Sequence, residues 1–293
     1  MSKKIICFGE ILWDVFPRER VPGGAPMNVA LHLSQLKADV SLISRIGNDQ
    51  EGKDLLEFIH GFGLSPDHIQ RDTDHPTGKV LVDDSNRENI VYEIVKPAAW
   101  DRIDFMPGHR EMTDQADAFI YGSLSARDKH SRDTLLKLLE TPTLKVMDVN
   151  LRPPFYSFEL LEKLLLQTDI LKINEEELYT LADFHRFSGE REGLLQKLTE
   201  LYDLHLICVT LGKNGALVYH EEETFVHPGY KVEVNDTVGS GDAFLAAFVH
   251  SYLLDKPLEH ILDDACALGA WVATQKGGTP RYDQEGIDRI KAQ

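Results

Sequence analysis

Little in this chain suggests a scaffold held by covalent links or by a structural metal. Three cysteines occur among 293 residues, Cys7, Cys208 and Cys266, each inside an apolar run and without paired spacing. Such usage excludes a disulfide framework and reads as buried thiols in a reducing compartment. The histidines form no His-Glu-x-x-His and no cluster with cysteine, so no zinc site is expected. No apolar stretch approaches bilayer length and no signal peptide precedes Ile5-Ile6-Cys7-Phe8, which leads to the expectation of a cytoplasmic protein. Fixed-period repeats and low-complexity linkers are missing, which excludes solenoids and disordered tails. Basic residues are also few, 31 against 48 acidic, and the net charge of −17 argues against nucleic acid or an anionic membrane as partner. Two nucleotide signatures are absent as well. No Gly-x-x-x-x-Gly-Lys-Ser/Thr occurs, and the residue where a third glycine would complete Gly239-x-Gly241-x-x-Gly is Phe244, which disfavours P-loop and dinucleotide-binding folds.

What is present is alternation. Apolar residues make up 42% of the chain, enough to fill one large α/β core with a small appendage. Strand-like runs fall near 4–9, 40–46, 117–122, 144–149, 169–174 and 205–211, separated by helix-patterned stretches at 27–37, 50–62, 130–140, 158–167 and 190–202. This rhythm predicts βαβ units, a mostly parallel sheet covered on both faces, and ligands at the carboxyl ends of the strands. Residues 11–16 and 77–95 break it. They read as short strands outside the helix-covered sheet, with a polar turn at 83–87, and are expected to form a β lid that also serves as a homodimer contact.

Six segments could carry chemistry. Asp236-Thr237-Val238-Gly239-Ser240-Gly241-Asp242 opens the helical run Ala243, Phe244, Ala246, Ala247, Phe248. A small-residue turn at a helix start offers unpaired amides and a positive dipole end, which suit an anion. Asp242 either caps that helix or takes a proton from a group attacking a bound phosphate. Pro22-Gly23-Gly24-Ala25-Pro26-Met27-Asn28 is either a tight turn before a helix with Pro26 at its first position, or a close backbone approach to a polyhydroxylated ligand that Asn28 contacts. In Lys172-Ile173-Asn174-Glu175-Glu176-Glu177, Asn174 and Glu177 have capping-box spacing, and the carboxylates also suit water around a nucleotide-bound Mg2+. Arg152, just past the strand-like run 144–149, pairs with Asp148 or grips a phosphoryl oxygen. Gly212 and Gly215 permit a hairpin, and the small residues of the carboxyl-terminal helix 265–273 suit close helix packing or a flat ring.

Taken in order, these segments closely resemble the ribokinase, or PfkB, family of ATP-dependent sugar kinases over essentially the whole chain. Within it, Gly9-Glu10-Ile11-Leu12-Trp13-Asp14, Gly23 to Asn28 and Asp148-Val149-Asn150-Leu151-Arg152-Pro153 are most similar to bacterial fructokinases. The resemblance implies a ribokinase-like three-layer α/β/α fold with a β lid, and transfer of the ATP γ-phosphoryl group to a sugar, D-fructose at its 6-hydroxyl. Ribose, 2-keto-3-deoxygluconate or a nucleoside are the alternative acceptors, and a non-catalytic sugar-binding regulator is the alternative role. It implies Asp242 as base, Gly239, Ser240 and Gly241 as amide donors beside Arg152, and Asp14, Gly24 and Asn28 as sugar contacts. Thr210, Gly212, Gly215 and Asn174 match the nucleotide side, and Glu177 the Mg2+-organising motif. Some members bind a monovalent cation such as K+ near the loop matching Asp236 and Val238. Ala25 stands where ribokinase itself carries a lysine, which counts against ribose.

Overall fold

The computed structural model describes residues 2–83 and 91–293. The chain opens with β1 (Lys4–Phe8), β2 (Leu12–Val15) and β3 (Arg20–Gly23), followed by α1 (Ala25–Gln35), β4 (Asp39–Gly47) and α2 (Gln50–Gly61). Then come β5 (Ile69–Asp72), β6 (Gly78–Asp83), β7 (Val91–Ile94), α3 (Pro107–Asp114), β8 (Ala118–Gly122), α4 (Lys129–Leu139) and β9 (Leu144–Asp148). The second half runs α5 (Phe158–Leu165), β10 (Ile170–Asn174), α6 (Glu175–Phe184), α7 (Arg191–Tyr202), β11 (Leu206–Thr210), β12 (Ala216–His220) and β13 (Glu223–His227). Three helices close it, α8 (Ser240–Leu253), α9 (Leu258–Ala273) and α10 (Gln284–Lys291).

Nine strands form one sheet in the order β13-β12-β11-β10-β9-β8-β1-β4-β5. From β11 to β5 all neighbours are parallel, and β12 and β13 add an antiparallel edge. Both faces are covered, so strand side chains of either parity are apolar. In β1, Ile5 and Cys7 face a core shared with α1, α8 and α9, while Ile6 and Phe8 face one shared with α4 to α7. All three cysteines are free and buried. Among the described residues, no helix is long and apolar enough to cross a membrane.

The topology locates the crevice. The crossover from β1 to β4 goes to one side of β1, and that from β5 to β8, by way of the lid, returns on the other. Between the carboxyl ends of β1 and β8 the connections therefore diverge, which is where open α/β sheets bind ligands.

The lid is a four-stranded sheet, β3-β2-β6-β7. It contains the expected segments 11–16 and 77–95 in trimmed form, β2 stopping one residue inside each end. Residues 84–90, which hold most of the expected polar turn and the start of its second strand, lie outside the described residues. The strand β3 was not expected, because Pro22-Gly23-Gly24 has turn composition. On an edge strand, however, Pro22 need not donate to the ladder, and it pairs opposite Trp13. Helix α1 begins two residues earlier than expected, with Gly24 as its N-cap and Pro26 in the first turn. The small-residue helix α9 is not the last element, since α10 packs behind it.

Candidate active site

Helix α8 begins without a capping side chain. Its N-cap is Gly239 at φ 75°, a left-handed conformation, and a Cβ there would overlap the carbonyl of Gly278. Among the described residues the amides of Gly239, Gly241 and Asp242 meet no chain acceptor, whereas Ser240 N reaches Thr237 O at 3.3 Å and Ser240 Oγ donates to Gly269 O at 2.9 Å. Open amides at a helix N-terminus form an anion site. Ser240, which the sequence places among the donors, is partly engaged in holding the loop against α9. The contact at Gly269 also gives the small residues of α9 a packing role.

Asp242 does not cap. It occupies the third helical position, and its Oδ2 accepts a 2.8 Å hydrogen bond from Asn28 Nδ2 on α1. Burial pushes this carboxyl up to about 6, the Asn28 donor pulls it down, Asp148 pushes it up, and Lys172 and Arg152 pull it down. A carboxylate so poised is ionised near neutrality yet basic enough to receive a proton. Asn28 itself is buried, and its Oδ1 has no partner among the described residues. A buried acceptor without a donor suits a ligand hydroxyl.

Asp14 lies on β2 of the lid, and a Cβ on Gly23 of neighbouring β3 would overlap its Oδ2, so this glycine makes room for the carboxylate. Burial raises Asp14 to about 6, opposed by Arg152 and reinforced by Asp242. Gly24, at φ 113°, lies against the carbonyl of Glu10. Asp14, Gly24, Asn28 and Asp242 therefore converge at the carboxyl end of β1.

The Asp148–Arg152 ion pair is not formed. Asp148 instead receives both short bonds, 3.0 and 2.9 Å, from Lys172 Nζ on the adjacent strand β10. Burial disfavours that ammonium, but Asp148, with Glu177 and Asp242, offsets it and the Lys172 pKa is raised. The Lys172 ammonium lies 3.5 Å from where a Cβ on Gly241 would sit. Arg152 is exposed, with Nη1 on Leu151 O at 3.1 Å, and its charge still acts on Glu10, Asp14 and Asp242.

Glu177 closes the capping box. Its Oε2 accepts from Asn174 N at 2.8 Å while Asn174 Oδ1 accepts from Glu177 N at 2.8 Å, and Oε1 accepts from Leu151 N at 2.8 Å. Burial and then Asp148 raise its pKa. Among the described residues no group of three His, Cys, Asp or Glu side chains could hold a metal. Isolated carboxylates fit a Mg2+ that arrives with its own waters and phosphates rather than a resident ion. Asp236 shapes the anion loop, accepting from Val238 N at 3.0 Å and Gly277 N at 3.2 Å. Thr210 ends β11, and Gly212 and Gly215 (φ 57° and 85°) form the expected hairpin into β12, with no room for a Cβ at Gly215 beside His227 O.

Comparison with known proteins decides the family. Residues 2–284 match the model of the pfkB family carbohydrate kinases. The chain belongs to that family. This pfkB-family kinase, a phosphotransferase of ribokinase-like fold, is 29% identical to a fructokinase of Oryza sativa subsp. japonica over 97% of this chain and 96% of that protein. It is 31% identical to a putative sugar kinase of Pyrococcus horikoshii over 93% of this chain and 88% of the relative. A crystal structure of the latter in complex with ATP superposes with a TM-score of 0.82 at 26% identity, covering 98% of this chain and 99% of that one. The fold alone is shared with a fructokinase of Xylella fastidiosa, at a TM-score of 0.87 and 23% identity, with both chains covered completely.

Two residues of the kinase site escaped sequence reasoning. Lys172 offered a signal: a lysine inside the apolar run Ile170–Ile173 of a strand buried on both faces needs a counter-ion. Glu10 offered a weaker one. It is buried two residues past β1, its Oε2 has no partner among the described residues, and burial raises it to about 7, with its own amide and Arg152 opposing, Asp242 reinforcing and Arg127 opposing.

Proposed function

We propose that this kinase is a cytoplasmic ATP:D-fructose phosphotransferase that forms fructose 6-phosphate. The observation that carries the reading is the Asn28–Asp242 hydrogen bond. It joins the lid-side contacts Asp14 and Gly24 to the open amides of α8, so that a hydroxyl held by the first set stands beside a base at the second. Mg·ATP supplies the phosphoryl group and shields its charge. The residues do the rest. Asp242 takes the hydroxyl proton as the sugar oxygen bonds to phosphorus and the bond from phosphorus to the ADP oxygen breaks. The amides of Gly239 and Gly241, with Ser240, face the charge of the group in transfer, and Arg152 and Lys172 flank them. Glu177, from its place in the α6 cap, would meet a nucleotide-bound Mg2+ only through water, and Thr210, Asn174 and the Gly212–Gly215 hairpin would receive the nucleotide. Asp236 orders the loop that would hold a monovalent cation such as K+.

Support for the nucleotide comes from the Pyrococcus horikoshii protein solved with ATP, and for the sugar from relatives named fructokinases. Within the chain, Ala25 beside Gly24 leaves the sugar side without an added cation, which favours a neutral acceptor. The lid presents Leu81 and Tyr92 to solvent, 42% and 55% exposed, and this supports its use as a homodimer contact.

A coupled assay with fructose, ribose, nucleosides and 2-keto-3-deoxygluconate tests the reading. Fructose is expected to give the highest kcat/KM, and a higher value with any other acceptor would reassign the substrate. Absence of ADP release with every acceptor would leave a sugar-binding regulator.

A further inference from the structure

Helix α1 carries two polar side chains, one turn apart, that reach different parts of the site. Asn28 holds the Asp242 carboxylate. Four residues on, His32 is fully buried, yet both ring nitrogens have partners: Nε2 lies 2.9 Å from the carbonyl of Gly278 and Nδ1 lies 2.9 Å from the hydroxyl of Tyr282. A carbonyl only accepts, so Nε2 carries a hydrogen. Burial lowers the His32 pKa to about 4, with the Gly278 carbonyl opposing, so the ring is neutral near pH 7 and its free Nδ1 takes the Tyr282 hydroxyl, which also lies 3.4 Å from the carbonyl of His32. The Tyr282 ring stacks on the imidazole with centroids 5.8 Å apart. Gln35, at the end of the same helix, accepts from Tyr282 N at 3.0 Å and donates to Pro280 O at 3.1 Å.

The segment so held is the floor of the anion loop. Gly239 sits directly against Gly278, and Gly277 N donates to Asp236 in the loop itself. We infer that His32 is a positioning residue, which fixes the amide loop at a set distance from the base by tying its floor to the helix that already holds Asp242. A side chain of similar bulk would fill the space without making the two directed bonds. The catalytic consequence rests on the kinase reading, whereas the tie between α1 and the loop does not.

Hydrogen exchange of the full chain tests the tie, comparing wild type with His32→Leu, His32→Gln and Tyr282→Phe. The readout is the bonded amides of Asp236, Val238, Ser240 and Gly277, with β8 and β10 as internal references. In His32→Leu exchange at these amides is expected to rise about tenfold, the loss of one net hydrogen bond, while the reference strands stay unchanged. His32→Gln, which can still donate to Gly278 O, is expected to restore most of the protection, and Tyr282→Phe to give a smaller rise. Steady-state kinetics on the same variants should show kcat reduced about tenfold in His32→Leu with KM for the sugar nearly unchanged. Unaltered loop exchange in His32→Leu, an equal rise in the reference strands, or a glutamine variant no better than leucine would each overturn the proposal. If the leucine variant does not fold, a Tyr282→Phe chain with wild-type loop exchange overturns it equally. A wild-type chain that phosphorylates no sugar would remove the functional reading, and the exchange comparison would still decide the tie.

Discussion

Two carboxylates occupy the same helical position at the same edge of the sheet and are used in opposite ways. Glu177 is the third residue of α6 and Asp242 the third residue of α8. Helix α6 starts from Asn174, whose side chain exchanges bonds with Glu177, so that carboxylate is tied into its own helix. Helix α8 starts from Gly239, which has no side chain to exchange, and Asp242 turns across to α1. The lesson is that the residue three places earlier decides whether a first-turn acid closes its helix or faces the site.

The sharpest way to break this comparison is Asp242→Asn. It should lower kcat by about 10² to 10⁴, as expected for loss of a general base, in a coupled assay at saturating substrates. Its stability near pH 7 should equal or exceed wild type. The folded-state pKa of Asp242 lies above its unfolded value, so this group's contribution declines as pH rises through that window and is fully unfavourable above about 6. Wild-type turnover in the variant would remove Asp242 as base. Next in size, Lys172→Met leaves Asp148 buried without its cation, and a denaturant titration should show a loss of about 3–5 kcal/mol. An unchanged midpoint would mean that Asp148 is hydrated in solution.

The pH profile sharpens the contrast further. In the wild type, kcat/KM should fall about tenfold per unit on the acid side of a pKa near 6, because only ionised Asp242 accepts a proton. A profile flat from pH 7 to 5 would argue that another group is the base. The smallest effect belongs to Glu177→Gln, whose amide cannot accept from both Asn174 N and Leu151 N. Thermal or chemical unfolding should register about 1 kcal/mol of destabilisation. The Mg2+ concentration for half-maximal rate should rise in the same variant, and a stability loss by itself would confine Glu177 to its cap.

Much of the large sheet was legible because buried parallel strands are continuous apolar runs and the intervening helices keep their period. The six expected strands and five expected helices of that sheet all occur, with ends displaced by a residue or two. The converging residues Asp14, Gly24, Asn28 and Asp242 were legible too, since motif order along the chain placed them. What pairs with what was not. Asp148 and Lys172 are neighbours only because β9 and β10 align them in register, whereas Arg152 was the nearer cation in sequence. For Asp242 the capping reading failed because cap geometry depends on the left-handed turn at Gly239, which composition permits but does not dictate. The strand β3 was hidden by a proline and glycines that an edge position tolerates.

The lid is fastened to the body at unusually close quarters. Only Gly9, Glu10 and Ile11 separate β1 from β2, and only Gly24 separates β3 from α1. A three-residue tether spans at most about 10 Å when fully drawn out, so the lid cannot swing away like a door. Any rocking of β3 pulls directly on the first turn of α1 and moves Asn28 with it. A lid drawn away from the body would therefore also strain the hydrogen bond from Asn28 to Asp242, so that opening the cleft and releasing that carboxylate would be one movement.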